Sequence, residues 1–261
     1  MKPFEVTFLG TGTSHGIPVV GCSCPVCTSS DPHDKRYRSS ILIQDGEHAL
    51  LIDTTPEFRL QALRADLQSL DAVLYTHDHA DHFNGIDDLR VFSKECTLPV
   101  YCSDAVVACI KDRFGYVLKT YDEAGGIPHL QLNSVKPYQM ISVAGFDVLP
   151  IPIRHGCKLI MAFRIGSFIY ATDSSGIPSE SLPYFEGVDT LVLGSLRYRS
   201  HPTHFSVDEA VSCATNVGAK RVFLTHLSHD IRHSQLEAEL PSHMHVAYDM
   251  LKITIGEAYD Q

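Results

Sequence analysis

Short apolar runs recur along the chain, and several of them stop at an Asp or a His. Residues 4–9 alternate apolar and polar and run into Gly10-Thr11-Gly12-Thr13, which predicts a strand entering a turn. Residues 40–43 and 48–52 predict a hairpin about Asp45-Gly46, a dipeptide suited to tight hairpin turns, and the second strand ends at Asp53. Residues 72–75 lead to Thr76-His77, and 146–149 lead through Pro150 and Pro152 to His155. Residues 168–171 lead to Thr172-Asp173, and 221–224 to Thr225-His226. If these strands share a sheet, their terminal side chains converge on one edge, where a rigid scaffold positions ligands well.

Helical spacing appears between the strands. It predicts helices over 57–65, 86–92, 104–114 (with Asp104 as the cap) and 207–217 (with Ser206 as the cap). Residues 115–139, with Gly125-Gly126 and Pro128, read as a loop or lid rather than a linker. Strands mixed with helices throughout predict one α/β domain over residues 1–261.

Composition changes this picture little and charge somewhat more. The 261 residues are 44% hydrophobic and 20% charged, as in ordinary globular proteins. A formal net charge of -10 opposes encounter with nucleic acid or an anionic membrane. No apolar run is long enough to span a bilayer, and residues 1–6 lack the apolar core of a secretory signal, so the expected location is the cytoplasm. The eight cysteines are then expected to be reduced and free to bind metal. Cys96, Cys102, Cys109, Cys157 and Cys213 are scattered and read as packing residues.

The densest chemistry is His77-Asp78-His79-Ala80-Asp81-His82, an H-x-H-x-D-H pattern. Imidazole and carboxylate ligands suit zinc, manganese or iron. The pair His77 and His79 can serve one cation, and Asp81 with His82 a second. The remaining ligands must come from elsewhere, and His155, Asp173 and His226 are the candidates. A carboxylate such as Asp173 can bridge two cations. With Asp53 before it and these residues after it, the pattern resembles the metallo-β-lactamase superfamily over nearly the whole chain. The resemblance implies a four-layer αββα sandwich. It also implies that His77, His79 and His155 hold one metal, that Asp81, His82 and His226 hold another, and that Asp173 bridges. Asp53 would orient the metal loop.

A second cluster, Cys22-Ser23-Cys24-Pro25-Val26-Cys27, offers three corners of a tetrahedral zinc site, with His229 the candidate for the fourth. Gly10-Thr11-Gly12, Gly16-Ile17-Pro18, this cysteine loop and Leu224-Thr225-His226-Leu227-Ser228-His229 together resemble the phosphoribosyl cyclic phosphodiesterases of phosphonate breakdown. That family places a structural zinc on the residues matching Cys22, Cys24, Cys27 and His229. It places a histidine at the substrate phosphate where His204 stands, within His201-Pro202-Thr203-His204-Phe205. Dimerisation also enters at the level of the family. His15 departs from the pattern expected at its position, and 115–139 matches nothing that names a substrate.

The expected chemistry is hydrolysis of a small, phosphorylated, cyclic or diester substrate. Two zinc or manganese ions about 3.5–4 Å apart share a hydroxide that attacks phosphorus. His204 and Asp81 are the expected catalytic residues, with His204 a candidate proton donor because the unperturbed imidazole pKa lies near working pH. Lys158, Arg197 and Arg199 could reach a remote phosphate but read more simply as solvated charges. Three alternatives use the same fold: thioester or lactam hydrolysis, tRNA processing, and a non-catalytic role in cofactor biosynthesis. The acidic charge counts against the nuclease.

Overall fold

The computed structural model describes residues 2–118 and 126–256. Six strands open the fold: β1 (Phe4–Gly10), β2 (Ser40–Gln44), β3 (Ala49–Ile52), β4 (Ala72–Leu74), β5 (Leu98–Cys102) and β6 (Leu130–Ser134). Seven more follow: β7 (Ile141–Val143), β8 (Phe146–His155), β9 (Lys158–Ile165), β10 (Phe168–Ala171), β11 (Thr190–Gly194), β12 (Arg221–Thr225) and β13 (Met244–Val246). The last strand, β14 (Lys252–Ile255), returns to pair antiparallel with β1. Two seven-stranded sheets result, in the orders β14-β1-β2-β3-β4-β5-β6 and β13-β12-β11-β10-β9-β8-β7.

Strand alternation explains why the sheets stack. Ile41, Ile43, Leu50 and Ile52 face the second sheet and pack with Phe146, Phe163, Tyr170 and Phe223. Their neighbours Leu42 and Leu51 face outward and pack under Phe58, Phe83 and Ile110. On the other side, Ile151, Ile153, Ile169 and Leu191 pack under Val207, Ala210 and Leu236. Strands buried on both faces need apolar residues at consecutive positions, which is why these runs read as continuous. Three separate cores therefore give four layers, the αββα sandwich that the resemblance implied.

The helices covering the sheets are α1 (Phe58–Arg64), α2 (Ala80–Phe83), α3 (Asp104–Arg113), α4 (Val207–Val217) and α5 (His233–Glu239). The expected cap of α4 forms as a capping box, Ser206 with Glu209. Other expectations are corrected. Ser103, not Asp104, accepts the Val106 N–H and caps α3, leaving Asp104 in the first turn. Ile86–Phe92 is a 3-10 helix rather than an α-helix. The 115–139 stretch is not one loop: it holds a 3-10 turn at Gly115–Leu118 and the edge strand β6, while 119–125 lie outside the described residues. Cys96 and Cys157 are exposed, so they are not packing residues.

The prolines near His155 do not interrupt β8, which runs unbroken for ten residues against β9. The Pro150 and Pro152 carbonyls face away from β9, accepting from Tyr138 N–H and the Ser181 hydroxyl. The N–H groups that proline lacks would also have pointed that way, beyond the reach of β7, so no ladder bond is lost.

Candidate metal centres

β3, β4, β8, β10 and β12 end at one edge of the paired sheets and deliver Asp53, His77, His155, Asp173 and His226 there. Asp53, Asp173 and His226 have left-handed backbones, with φ of 68°, 57° and 61°. That conformation costs a non-glycine residue about 1–2 kcal/mol, so the surrounding structure must enforce it. At Gly194, a Cβ would lie 2.6 Å from the Asp173 nitrogen. Glycine there lets the end of β11 press against Asp173.

Two donor sets meet at this edge. His77, His79 and His155 each offer a nitrogen, and these atoms lie within 4.8 Å of one another. Asp81, His82, Asp173 and His226 form a second set by the same measure. Asp173 faces both. Its Oδ1 lies 3.0 Å from His226 Nδ1 and 3.3 Å from His82 Nε2, and its Oδ2 lies 3.8 Å from His77 Nε2.

The rings are held from behind. His155 Nδ1 donates to the Asp173 carbonyl at 2.7 Å, which fixes the tautomer and leaves Nε2 free. His82 Nδ1 lies 2.8 Å from Asp53 Oδ2, and Asp53 also accepts from the Thr76 N–H and hydroxyl. Hydroxyls flank His226: Thr13 Oγ1 is 3.0 Å from Nε2, and Ser39 Oγ is 3.3 Å from Nδ1. Sequence reasoning passed over these two hydroxyls. Only the Gly-Thr-Gly-Thr turn hinted at Thr13, and nothing local marked Ser39.

The charges fit a cation. Nε2 of His77 is buried and makes no hydrogen bond among the described residues, and Nε2 of His82 lies 3.3 Å from both Asp81 Oδ2 and Asp173 Oδ1. Leaving a buried nitrogen such as His77 Nε2 unpaired costs about 1–3 kcal/mol, and a metal ion would satisfy it. Burial, reinforced by His82, holds the His77 pKa well below its usual value, so the ring is neutral and can bind metal. Burial opposes charge on His82, but Asp173, Asp81 and Asp53 outweigh it and raise its pKa well above the usual value. Burial likewise opposes charge on Asp173, yet His226 and His82 lower its pKa well below the usual range. Asp173 and Asp81 thus favour positive charge at this point, which a divalent cation can supply.

His204 sits at the rim, its ring stacked on His226 at 5.0 Å and its Nδ1 4.0 Å from Asp173 Oδ2. It also forms a donor group with His155 and Asp173. The ring does not keep its unperturbed pKa in this setting. Burial, followed by the charges of His226 and His155, lowers it to about 3 against the pull of Asp173, so the ring is neutral. Exposed Lys158 lies 3.7 Å from half-buried Asp78, and Arg199 lies 3.6 Å from Asp230 in an exposed pair. Arg197 donates to the carbonyls of Arg199 and Ser200. His15 is exposed.

The cysteine loop forms a separate group. His229 Nδ1 is 3.3, 3.6 and 3.5 Å from the sulfurs of Cys22, Cys24 and Cys27. Tetrahedral zinc, with bonds of about 2.3 Å to sulfur and 2.0–2.1 Å to nitrogen, sets such separations near about 3.6 Å. The Cys27 N–H points at Cys24 Sγ at 3.4 Å, the main cause of a Cys24 pKa lowered to about 7. Burial pushes the Cys27 thiol up to about 11. The buried Arg36 guanidinium donates to the Ser228 and Ile231 carbonyls and so braces the segment carrying His229.

The chain is similar to known proteins over most of its length. The model of the Beta-lactamase superfamily domain matches residues 48–227. A crystal structure of a diphosphatase from the PhnP family superposes with a TM-score of 0.91 at 39% identity, covering 97% of each chain. A probable metallo-hydrolase, YhfI of Bacillus subtilis, is 27% identical over 82% of this chain and 89% of its own length. A protein named Octanoyltransferase from Porphyromonas gingivalis is 42% identical over 95% of this chain. This chain spans only 51% of that protein's length. No helix among the described residues is long and apolar enough to cross a membrane.

Proposed function

The chain is a metal-dependent hydrolase of the metallo-β-lactamase superfamily, similar to its PhnP branch, and we propose that it is a binuclear phosphodiesterase acting on a small phosphate diester or diphosphate. One observation carries the binuclear reading: the two oxygens of Asp173 face two different donor sets. The phosphate reading is supported by likeness to a diphosphatase over 97% of the chain.

In this reading His77, His79 and His155 would hold one ion and Asp81, His82 and His226 the other, with Asp173 available to both. Such ions, zinc or manganese, supply an activated water and Lewis-acid stabilisation of the phosphoryl oxygens. The chain's own residues do the rest. Asp53 fixes the His82 ring through Nδ1, so its Nε2 stays aimed at the site. Neutral His204 donates a hydrogen bond to a phosphoryl oxygen beside Asp173. The negative charge of bound phosphate would raise its pKa, so that His204 could take up a proton from solvent and pass it to the departing oxygen. The cysteine group with His229 holds one structural zinc. The whole forms a single domain over residues 1–261, and a homodimer is the assembly to test.

A second reading, hydrolysis of a thioester, draws on the likeness to the protein named Octanoyltransferase. That likeness covers half of the larger protein, so it does not tie acyl chemistry to this half. Metal analysis with parallel assays on bis(p-nitrophenyl) phosphate and a thioester separates the readings. About three ions per chain with diesterase turnover supports the first. Thioester turnover alone overturns it.

A further inference from the structure

The His226 ring is bracketed by two hydroxyls, and both lead back to one carboxylate far away in sequence. Asp249 follows β13, is 9% exposed, and was not singled out by any sequence pattern. Its Oδ1 accepts from the Thr11 N–H at 3.0 Å and the Thr11 hydroxyl at 2.8 Å. Its Oδ2 accepts from the Tyr37 N–H at 2.7 Å and lies 3.7 Å from Arg64. Two residues beyond Thr11 stands Thr13, whose hydroxyl meets His226 Nε2; two residues beyond Tyr37 stands Ser39, whose hydroxyl meets Nδ1.

The two segments are also laced together. Gly12 N–H donates to the Tyr37 carbonyl at 2.7 Å, and the Ser39 hydroxyl donates to the Gly12 carbonyl at 3.0 Å. Leu227, next to His226, pairs with the first segment through its N–H to Thr11 and its carbonyl from Thr13. Fixing residues 11 and 37 therefore fixes the hydroxyls at 13 and 39.

We propose that Asp249 is a positioning residue: by holding both segments it sets the angle of the His226 ring, and through that ring the affinity for the second active-site ion. This rests on reading His226 as a metal ligand. Groups that orient a metal-binding imidazole are worth about 10–100-fold in metal affinity.

The test uses Asp249→Asn in the full chain, which keeps the shape and removes one acceptor. Competition with a zinc chelator is expected to show one active-site ion bound about tenfold more weakly, with the cysteine-site ion unchanged. Turnover recovers at saturating metal. In the metal-free protein, nitrogen NMR of His226 shifts. Adding Thr13→Val to Asp249→Asn produces little further loss, because both act through one ring. Wild-type ion affinity and an unshifted His226 signal in folded Asp249→Asn overturn the proposal. Should that variant not fold, Thr13→Val with Ser39→Ala probes the same bracket, and unchanged affinity there overturns it equally. His226→Ala is the control. If it keeps every ion, the ligand reading fails, while the NMR shift still reports on the bracket itself.

Discussion

The histidine–aspartate edge and the cysteine loop both look ready for metal, yet they are built on opposite plans. The first gathers side chains from the ends of five strands in two sheets. Most of its rings are buried, with His79 half-buried, its charges are strongly coupled, and one carboxylate faces two donor sets. The second takes three sulfurs from a six-residue stretch and one nitrogen from across the fold. Its groups are mostly half-exposed, and among the described residues no carboxylate joins their donor set. A site fixed by a sheet edge can keep its geometry while a substrate comes and goes. A site that closes a loop gains most by holding two segments together. The sites also share a stretch of chain, since His226 and His229 are three residues apart.

The comparison breaks most sharply at Asp173. Asp173→Ala removes the carboxylate that faces both sets, and turnover should fall by about a thousandfold or more, because Lewis-acid stabilisation is worth several kcal/mol. Metal analysis should show loss at the active site and retention at the cysteines; equal loss at both would mean the sites are not separate. His204→Ala comes next. Both ions should remain while turnover drops by about a hundredfold, the lower range for a proton-transfer residue. Wild-type rates on every diester tested would remove His204 from the chemistry. Asp53→Asn should weaken ion binding by about 10–100-fold while folding normally, as measured by chelator competition.

The cysteine loop should respond the other way. Cys24→Ser should lose one zinc and about 10 °C of melting temperature, on the order of 3 kcal/mol for a chain this long, with turnover at saturating metal nearly unchanged. An unchanged melting temperature and zinc content would refute the staple. The smallest effect concerns pH. Zinc binds thiolates, so its affinity at this site should fall as pH drops through about 7, where Cys24 takes up a proton. Near pH 7.5 Cys27 is still a thiol, so zinc loading should release about one proton from it, readable by calorimetry in buffers of different ionisation enthalpy.

Much of the site was legible before any fold was known. The H-x-H-x-D-H run and the strand-end residues His155, Asp173 and His226 stood out because apolar runs stopped at them. The cysteine spacing was as plain, and His229 was placed by its distance from His226. Some elements escaped. The prolines of β8 hid a ten-residue strand because the open side of that strand shows only in three dimensions. Helical spacing at 86–92 could not separate an α-helix from the 3-10 helix that forms. The pKa of His204 looked ordinary because burial and the neighbouring rings of His226 and His155 are invisible in a string of letters.

The sequence by itself determined which residues are candidates to carry the chemistry, because ligand types and strand periodicity are local properties of the chain. Only the tertiary structure decided how they meet: which oxygen of Asp173 faces which set, which hydroxyls bracket His226, and that Asp249 reaches across 238 positions to hold Thr11. Those contacts depend on the order in which strands pair and on what burial does to charge. Both are set by the packing of distant segments and by the exclusion of water, and no stretch of neighbouring residues contains either.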